Sequence, residues 1–292
     1  MGSFDVLATG PLATVQDLGR PGLASLGVGR SGAADRDALR LANRLVGNEE
    51  GAASLEVTFG GLAVRSSGGA TVALTGAPCP MHIDGRQVSP YAAVFVPDGA
   101  ELRLEAPESG LRSYLAVRGG IDVAPVLGSR STDTMAGLGP DPLSSGDVLA
   151  IGAARGPVPG VDVAAVRRPA TGEVSLRVVP GPRADWFTQD ALETLLSSPY
   201  DVTSDSNRVG MRLSGAVLDR ARDGELPSEG MVPGALQVPP SGQPTLFLAD
   251  HPVTGGYPVI GVVVGADLGL AAQARPGQQL RFRRSTPTPH AR

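Results

Sequence analysis

The chain has 292 residues, of which 41% are hydrophobic, and a formal net charge of -4. Its length suits two ordinary domains or one large β domain, and its charge argues against a nucleic-acid or anionic-membrane partner. The single cysteine, Cys79, excludes an internal disulfide and fits a reducing cytoplasm. All 25 basic residues are arginines, so the chain cannot carry a biotinyl-lysine, a Schiff base or a P-loop lysine.

Short alternating segments separated by turn residues predict a mainly β fold with few helices. A turn followed by an alternating strand recurs at Asp98, Ser145 and Pro276, which is typical of β-barrels rather than of βαβ units. The predicted strands span residues 54–65, 70–75, 92–97, 113–118, 174–179, 209–213, 245–249 and 258–264.

Two longer helices and one short helix are predicted from apolar spacing and from flanking capping residues. Ser31 or Asp35 is the candidate N-cap of the first helix, and Thr188 is the candidate N-cap of the second. The predicted helices span residues 34–46, residues 189–197 and a short segment that starts at Asp267.

A segment rich in Gly, Pro, Ala and Arg at 151–172 indicates a boundary between two domains. Strand patterning resumes directly after it. The predicted domains are an N-terminal β-barrel domain with the early helix over 1–155, a linker over 156–172, a C-terminal β-barrel domain over 173–285 and a tail over 286–292.

The segment 226–258 combines turn residues with an apolar core pattern, since seven of its 33 residues are proline and five are glycine. Proline fixes φ, and glycine permits positive φ or close backbone approach, so such a segment holds its polar side chains still. It is interpreted either as the wall of a functional site or as tight barrel turns without chemistry. Its polar side chains are Ser228, Glu229, Gln237, Asp250, Thr254 and Tyr257.

Glu229 and Asp250 are the candidate catalytic acids of this segment. Both lie among apolar residues, where burial would raise the pKa of a carboxyl group toward general acid–base use. The backbone N–H groups of Thr254, Gly255 and Gly256 are candidate donors to a developing oxyanion. The alternative is that the carboxylates only bond loop amides.

Two other patterns indicate a functional site less strongly than the 226–258 segment does. A G-x-G-x-x-G pattern at 27–32 precedes the first predicted helix but lacks the βαβ context of a dinucleotide site. A glycine-rich loop before a helix can still bind a carboxylate or phosphate. Ser228, His251 and Asp250 are the residue types of a catalytic triad. A triad is not favoured, since no G-x-S-x-G elbow is present. No histidine pair or cysteine cluster has metal-ligand spacing, so no metal site is predicted.

Several longer motifs resemble one known family over nearly the whole chain. They include VQDLGRPG at 15–22, GVGRSGAAD at 27–35, LRLANRLVGN at 39–48, LEVTFGG at 55–61 and YLAVRGGID at 114–122. The 228–258 stretch, SEGMVPGALQVPPSGQPTLFLADHPVTGGYP, matches as well. Together they are similar to the biotin-dependent carboxyltransferase-like family, whose members include the C subunit of 5-oxoprolinase and proteins labelled allophanate hydrolase subunit 2 or Kip antagonist.

The resemblance implies tandem cyclophilin-like β-barrel subdomains. It also implies two partner proteins, one Kip-inhibitor-like and one LamB/YcsF-like, in an ATP-dependent complex that opens the small molecule 5-oxoproline to L-glutamate. ATP would act through the complex. By this likeness the substrate-binding residues are Ser31, Gly32, Asp35, Ser228, Gln237, Thr254, Gly255, Gly256 and Tyr257.

Two alternatives stay open beside this expectation. In the first, the chain is a carboxyltransferase half-site that acts on biotin carried by another protein. In the second, it is a regulatory binder of a Kip-inhibitor-like partner. A hydrolase of the Ser-Ser-Lys amidase kind is excluded because the chain lacks lysine. The residues at 251–254 depart from the family's Arg-Gln-Thr-Thr pattern, and Arg208 or Arg130 is the candidate replacement for the missing guanidinium.

Overall fold

The computed structural model describes residues 2–222, 224 and 226–285. The chain divides into two compact units, Met1–Ala170 and Thr171–Arg292. Within the described ranges there are twenty strands, three α-helices and three short 3-10 helices. The prediction of a mainly β fold with a few short helices is therefore confirmed. The finer domain boundaries at 155, 172 and 285 stay a prediction, and the predicted tail lies outside the described residues.

The N-terminal unit contains eleven strands in two sheets. One sheet has the order β11-β1-β4-β9-β6-β7, and the other has the order β2-β3-β10-β5-β8. The strands are β1 Ser3–Thr9, β2 Leu12–Gln16, β3 Ser54–Thr58, β4 Leu62–Ser67, β5 Ala70–Gly76, β6 Met81–Ile83, β7 Arg86–Val88, β8 Val94–Val96, β9 Glu101–Leu104, β10 Arg112–Val117 and β11 Val148–Ala150.

One continuous apolar core is built from the alternating residues of both sheets in this unit, including Phe4, Val64, Leu74 and Leu115. A second cluster lies on the other face of β5 and β10, where helix α1, Arg36–Leu45, packs Leu39 and other apolar residues against the sheet. The sheet that carries α1 is thus buried on two faces, which explains why β10 is buried along its whole length.

The C-terminal unit is a closed seven-stranded barrel in the order β12-β19-β16-β17-β14-β13-β20. The parallel pairing of β12 with β20 closes it, and a separate two-stranded sheet joins β15 to β18. The strands are β12 Val174–Pro180, β13 Pro199–Val202, β14 Gly210–Gly215, β15 Glu229–Gly230, β16 Ala235–Gln237, β17 Thr245–Phe247, β18 Thr254–Gly255, β19 Val259–Val263 and β20 Gln279–Arg284, and the helices are α2 Gln189–Ser197 and α3 Leu268–Gln273.

The predicted strand at 54–65 is two strands, β3 and β4. Phe59, Gly60 and Gly61 all have positive φ, so the chain reverses between the strands instead of continuing. A Cβ atom on Gly60 would lie 2.0 Å from the Glu105 carbonyl oxygen, so this turn requires glycine for close backbone contact. The apolar alternation continues through the turn, and the pattern alone therefore missed the break.

All three predicted helices are present, and α1 begins two residues later and ends one residue earlier than the predicted 34–46. Asp35 is the N-cap of α1, because its side chain accepts a hydrogen bond from the Ala38 amide. Helix α2 has its predicted bounds, and Thr188 is its N-cap residue as predicted, although the Thr188 side chain makes no capping hydrogen bond. None of the helices in the described part of the chain is long and apolar enough to cross a bilayer.

Tyr114 joins α1 to the sheet beneath it through a buried polar contact. Its hydroxyl donates to Glu56 Oε2 at 2.7 Å and accepts from the Asp35 amide at 2.7 Å. Burial raises the pKa of Tyr114 well above its ordinary value, and the nearby Glu56 carboxylate adds to the shift. The phenol therefore keeps its proton and can donate to the carboxylate throughout the neutral range.

We expect Tyr114→Phe to destabilise the N-terminal unit by about 1–3 kcal/mol, because two buried groups lose one hydrogen bond each. Tyr91→Phe is the matched control, since among the described residues the Tyr91 hydroxyl makes a single hydrogen bond, to the Gly76 carbonyl. Hydrogen exchange of α1 and β10 peptides, measured by mass spectrometry, checks the comparison. An equal loss of protection in both variants would contradict the special role of Tyr114.

Candidate functional site

The 226–258 segment forms part of the wall of the C-terminal barrel. It contributes β16 and β17 to the barrel and β15 and β18 to the small two-stranded sheet. Met231, Leu236, Val238, Leu246 and Leu248 point into apolar clusters and are buried. The segment is thus packed by its apolar residues, as expected from its composition, and its polar residues lie within or next to short strands.

Asp250 forms a buried ion pair with Arg208. Arg208 Nε donates to Asp250 Oδ2 at 2.9 Å and Nη2 donates to Oδ1 at 3.0 Å, and both side chains are at most 1% exposed. The two residues flank the paired strands β14 and β17, and the Asp250 amide also donates to the Arg208 carbonyl at 3.1 Å. This fork fixes the chain after β17, and it engages both carboxylate oxygens.

Glu229 is more accessible than Asp250 and pairs with a different arginine. Arg183 Nε donates to both carboxylate oxygens, at 2.8 and 3.0 Å, and Nη2 also contacts Oε1. The side chains of Glu229 and Arg183 are 26% and 38% exposed. Hydrogen bonding to Arg183 holds the pKa of Glu229 below its ordinary value. The expectation that burial raises this pKa is therefore wrong, because the guanidinium outweighs the partial desolvation.

Two of the three residues at 254–256 take part in strand pairing. Thr254 and Gly255 pair with Gly230 and Glu229 in the small sheet, so part of the backbone bonding capacity of the candidate oxyanion donors is used there. Gly256 lies outside this ladder, and its nearest non-neighbouring atom for an added Cβ is the Leu226 carbonyl oxygen at 3.5 Å. Ser228 is exposed beside this sheet. The small sheet and its flanking residues thus bring five candidate residues together: Ser228, Glu229, Thr254, Gly255 and Gly256.

Gln237 and Tyr257 lie together beside Arg220. The sequence pattern did not indicate Arg220 as a site residue. Gln237 Nε2 donates to the Tyr257 carbonyl at 3.2 Å. The Arg220 guanidinium carbon lies 5.7 Å from the centroid of the Tyr257 ring, and Arg220 Nη2 donates to the Val238 carbonyl at 2.6 Å. A half-exposed aromatic ring and a guanidinium therefore border the same turn.

The N-terminal candidates Ser31, Gly32 and Asp35 have structural partners within their own unit. Ser31 is fully buried, and its hydroxyl donates to the Thr132 carbonyl at 3.2 Å. Gly32 has a φ of 91°, and a Cβ there would lie 2.7 Å from the Gly19 amide nitrogen. Asp35 caps α1. The loop before α1 is therefore held in place by close backbone contacts and by buried hydrogen bonds.

The two candidate replacement arginines are both engaged. Arg208 is buried against Asp250, as described above. Arg130 belongs to the N-terminal unit, where its Nε donates to the Val123 carbonyl at 2.7 Å and its Nη2 lies 3.5 Å from Asp122 Oδ1. Both guanidiniums are thus already bonded within their own units.

His251 is buried at the end of the Asp250 turn. Its Nδ1, the atom that a triad aspartate would hold, lies 2.8 Å from the Pro252 carbonyl oxygen. Within the described ranges, no group of three or more His, Cys, Asp and Glu side chains is arranged to hold a metal ion.

Comparison with known proteins places the chain in a family. Residues 26–284 match the model of the carboxyltransferase domain, subdomain A and B. The chain belongs to the carboxyltransferase domain family. The resemblance inferred from the sequence motifs is therefore confirmed, and it covers both structural units.

Two curated relatives carry the same name. The chain is 40% identical over 280 residues to the 5-oxoprolinase C subunit of Escherichia coli, which covers 95% of this chain and 89% of that protein. It is 34% identical over 292 residues to the 5-oxoprolinase C subunit of Haemophilus influenzae, with 96% and 90% coverage. The crystal structure of the K. lactis urea amidolyase matches with a TM-score of 0.90 at 30% identity, over 96% of this chain and 18% of that one.

We expect Asp250→Asn to destabilise the C-terminal unit by about 3–5 kcal/mol, because it leaves the buried Arg208 charge without its carboxylate. Glu229→Gln is the matched control, and we expect it to cost at most about 1 kcal/mol because that pair is partly exposed. Urea unfolding followed by the fluorescence of Trp186, the single tryptophan, reports on this unit.

The double variant Arg208→Met with Asp250→Leu separates the effect of an unpaired buried charge on stability from the effect of side-chain packing. We expect it to be more stable than Asp250→Asn, because no buried charge then lacks a partner. Equal midpoints for Asp250→Asn and Glu229→Gln would contradict a structural role of the buried pair.

Proposed function

We propose that this chain is the C subunit of an ATP-dependent 5-oxoprolinase complex that opens 5-oxoproline to L-glutamate. The observation that carries the proposal is the similarity, over nearly the full length of both chains, to two proteins named as the C subunit of 5-oxoprolinase. The proposed partners are a LamB/YcsF-like protein and a Kip-inhibitor-like protein. ATP would act through the complex, and this chain carries no biotin because it has no lysine.

The chemistry of lactam opening sets what such a site must supply. Amide resonance makes the ring carbonyl a poor electrophile, and phosphorylation of its oxygen by ATP creates a leaving group. Attack by water then needs a base for the water proton and hydrogen-bond donors for the tetrahedral intermediate. In this chain the turn formed by Ser228, Glu229 and residues 254–257 offers both kinds of group.

The two candidate acids suit different roles. Asp250 is inaccessible and bonded to Arg208, so in the proposal it positions the turn rather than touching the substrate. Glu229 is accessible and stays ionised at neutral pH, because Arg183 lowers its pKa. A carboxylate in this state can orient a water molecule and receive its proton, although its low pKa makes it a weak base. Glu229 is therefore the proposed catalytic residue.

A carboxyltransferase role is the second candidate function. It is supported by the fold match to the K. lactis urea amidolyase, of which this chain spans 18%. In this alternative, biotin attached to another protein would enter the same turn. The alternative predicts measurable binding of free biotin to this chain, and the 5-oxoprolinase proposal predicts none. A purely regulatory role would require neither activity.

We expect the complex of this chain with its LamB/YcsF-like and Kip-inhibitor-like partners to release glutamate and ADP from 5-oxoproline and ATP. Omission of this chain should reduce glutamate release to the background, because the proposed hydrolytic groups are then absent. Amino-acid chromatography combined with a coupled ADP assay measures both products. Undiminished glutamate release without this chain would contradict the proposed function.

A variant complex extends this assay to the catalytic residue. In the same complex, Glu229→Gln should lower kcat by about 10- to 100-fold, in the range of a lost general base. Glu193→Gln is the control, because Glu193 lies on α2 outside the 226–258 segment. Equal kcat values for the two variants would contradict the catalytic role of Glu229.

A further inference from the structure

Arg220 is a half-buried guanidinium with no carboxylate partner among the described residues. Its Nη2 donates to the Val238 carbonyl, and its Nε is buried without a hydrogen-bond partner in that part of the chain. No contact of Nη1 is found within the same ranges. A guanidinium has five N–H donors, so donors remain for a carboxylate beside the one that bonds to the Val238 carbonyl.

The other arginines near the turn already have acidic partners. Arg208 is paired with Asp250, Arg183 with Glu229 and Arg222 with Asp185. Arg220 differs because, within the described residues, its positive charge meets only carbonyl and aromatic groups. Desolvating a cation without an anion is unfavourable, so this position is suited to receive an anionic ligand.

The surroundings of Arg220 hold it in place. The Tyr257 ring lies beneath the guanidinium, and Gln237 fixes the Tyr257 carbonyl. Gln237 can occupy this position because Gly255 has no side chain: a Cβ on Gly255 would lie 2.5 Å from Gln237 Nε2. A cation over the face of an aromatic ring is attracted by the ring, which favours this position of the guanidinium beside the turn. Tyr257 is 42% exposed, so the ring borders solvent.

We infer that Arg220, which lies over the Tyr257 ring, binds the carboxylate of the substrate. This inference rests on the proposed function and deepens it. The substrate class is a cyclic amide with a carboxylate on the ring carbon next to nitrogen. Arg220 would hold the carboxylate at the Tyr257 turn, and the lactam would extend toward the groups that open it. Discrimination against a lactam without a carboxylate follows from the same contact.

The test uses steady-state kinetics of the assembled complex with 5-oxoproline and with 2-pyrrolidinone, which lacks the carboxylate. We expect Arg220→Met to raise KM for 5-oxoproline by about 10- to 100-fold with a smaller change in kcat. The preference for 5-oxoproline over 2-pyrrolidinone should fall by a similar factor. Arg220→Lys should recover part of the loss, because it keeps the charge but not the fork.

Arg212→Met is the matched control, since Arg212 is an exposed arginine on β14 of the same unit. Unchanged KM and unchanged preference in both Arg220 variants would overturn the inference. If Arg220→Met fails to fold by Trp186 fluorescence, the Lys variant decides: full wild-type KM and preference would overturn the inference. Absence of 5-oxoproline turnover in the wild-type complex would instead refute the proposed function, so the two failures are distinguishable.

Discussion

The buried pair of Arg208 and Asp250 is the constraint on which the arrangement of the C-terminal turn depends. Two charges at most 1% exposed are tolerable only because the guanidinium fork meets both carboxylate oxygens. The fork ties the end of β17 to the start of β14, and the chain then runs through 251–253 into β18. This buried pair thus holds the chain just before the segment that leads to Thr254 and Tyr257.

In the N-terminal unit, a buried polar contact likewise positions a loop. Tyr114, Glu56 and the Asp35 amide form a buried polar contact beneath the first turn of α1. The loop before the helix approaches a neighbouring loop at Gly32 so closely that only glycine fits. In both units, then, apolar clusters stabilise the strands, and a few satisfied buried polar groups determine where the loops lie.

Regular elements were predictable from the sequence where hydrophobic alternation or helical spacing is local. The bounds of α2 and the position of β12 illustrate this. The break between β3 and β4 was not, because positive φ at Phe59 interrupts an alternation that reads as continuous. The 226–258 segment was recognisable by composition, but the partners of its acids were not. Arg183 lies 46 residues from Glu229, and no periodic pattern connects them.

Arg220 and the Tyr257 turn are the proposed point of recognition for the substrate carboxylate, and Glu229 is the accessible acid beside them. The most direct test is an experimental structure of the assembled complex with bound 5-oxoproline. We predict that the substrate carboxylate lies about 3 Å from the Arg220 guanidinium nitrogens, with the ring next to Tyr257. A substrate carboxylate held by other cations, with Arg220 bonded only to the Val238 carbonyl, would contradict this proposal.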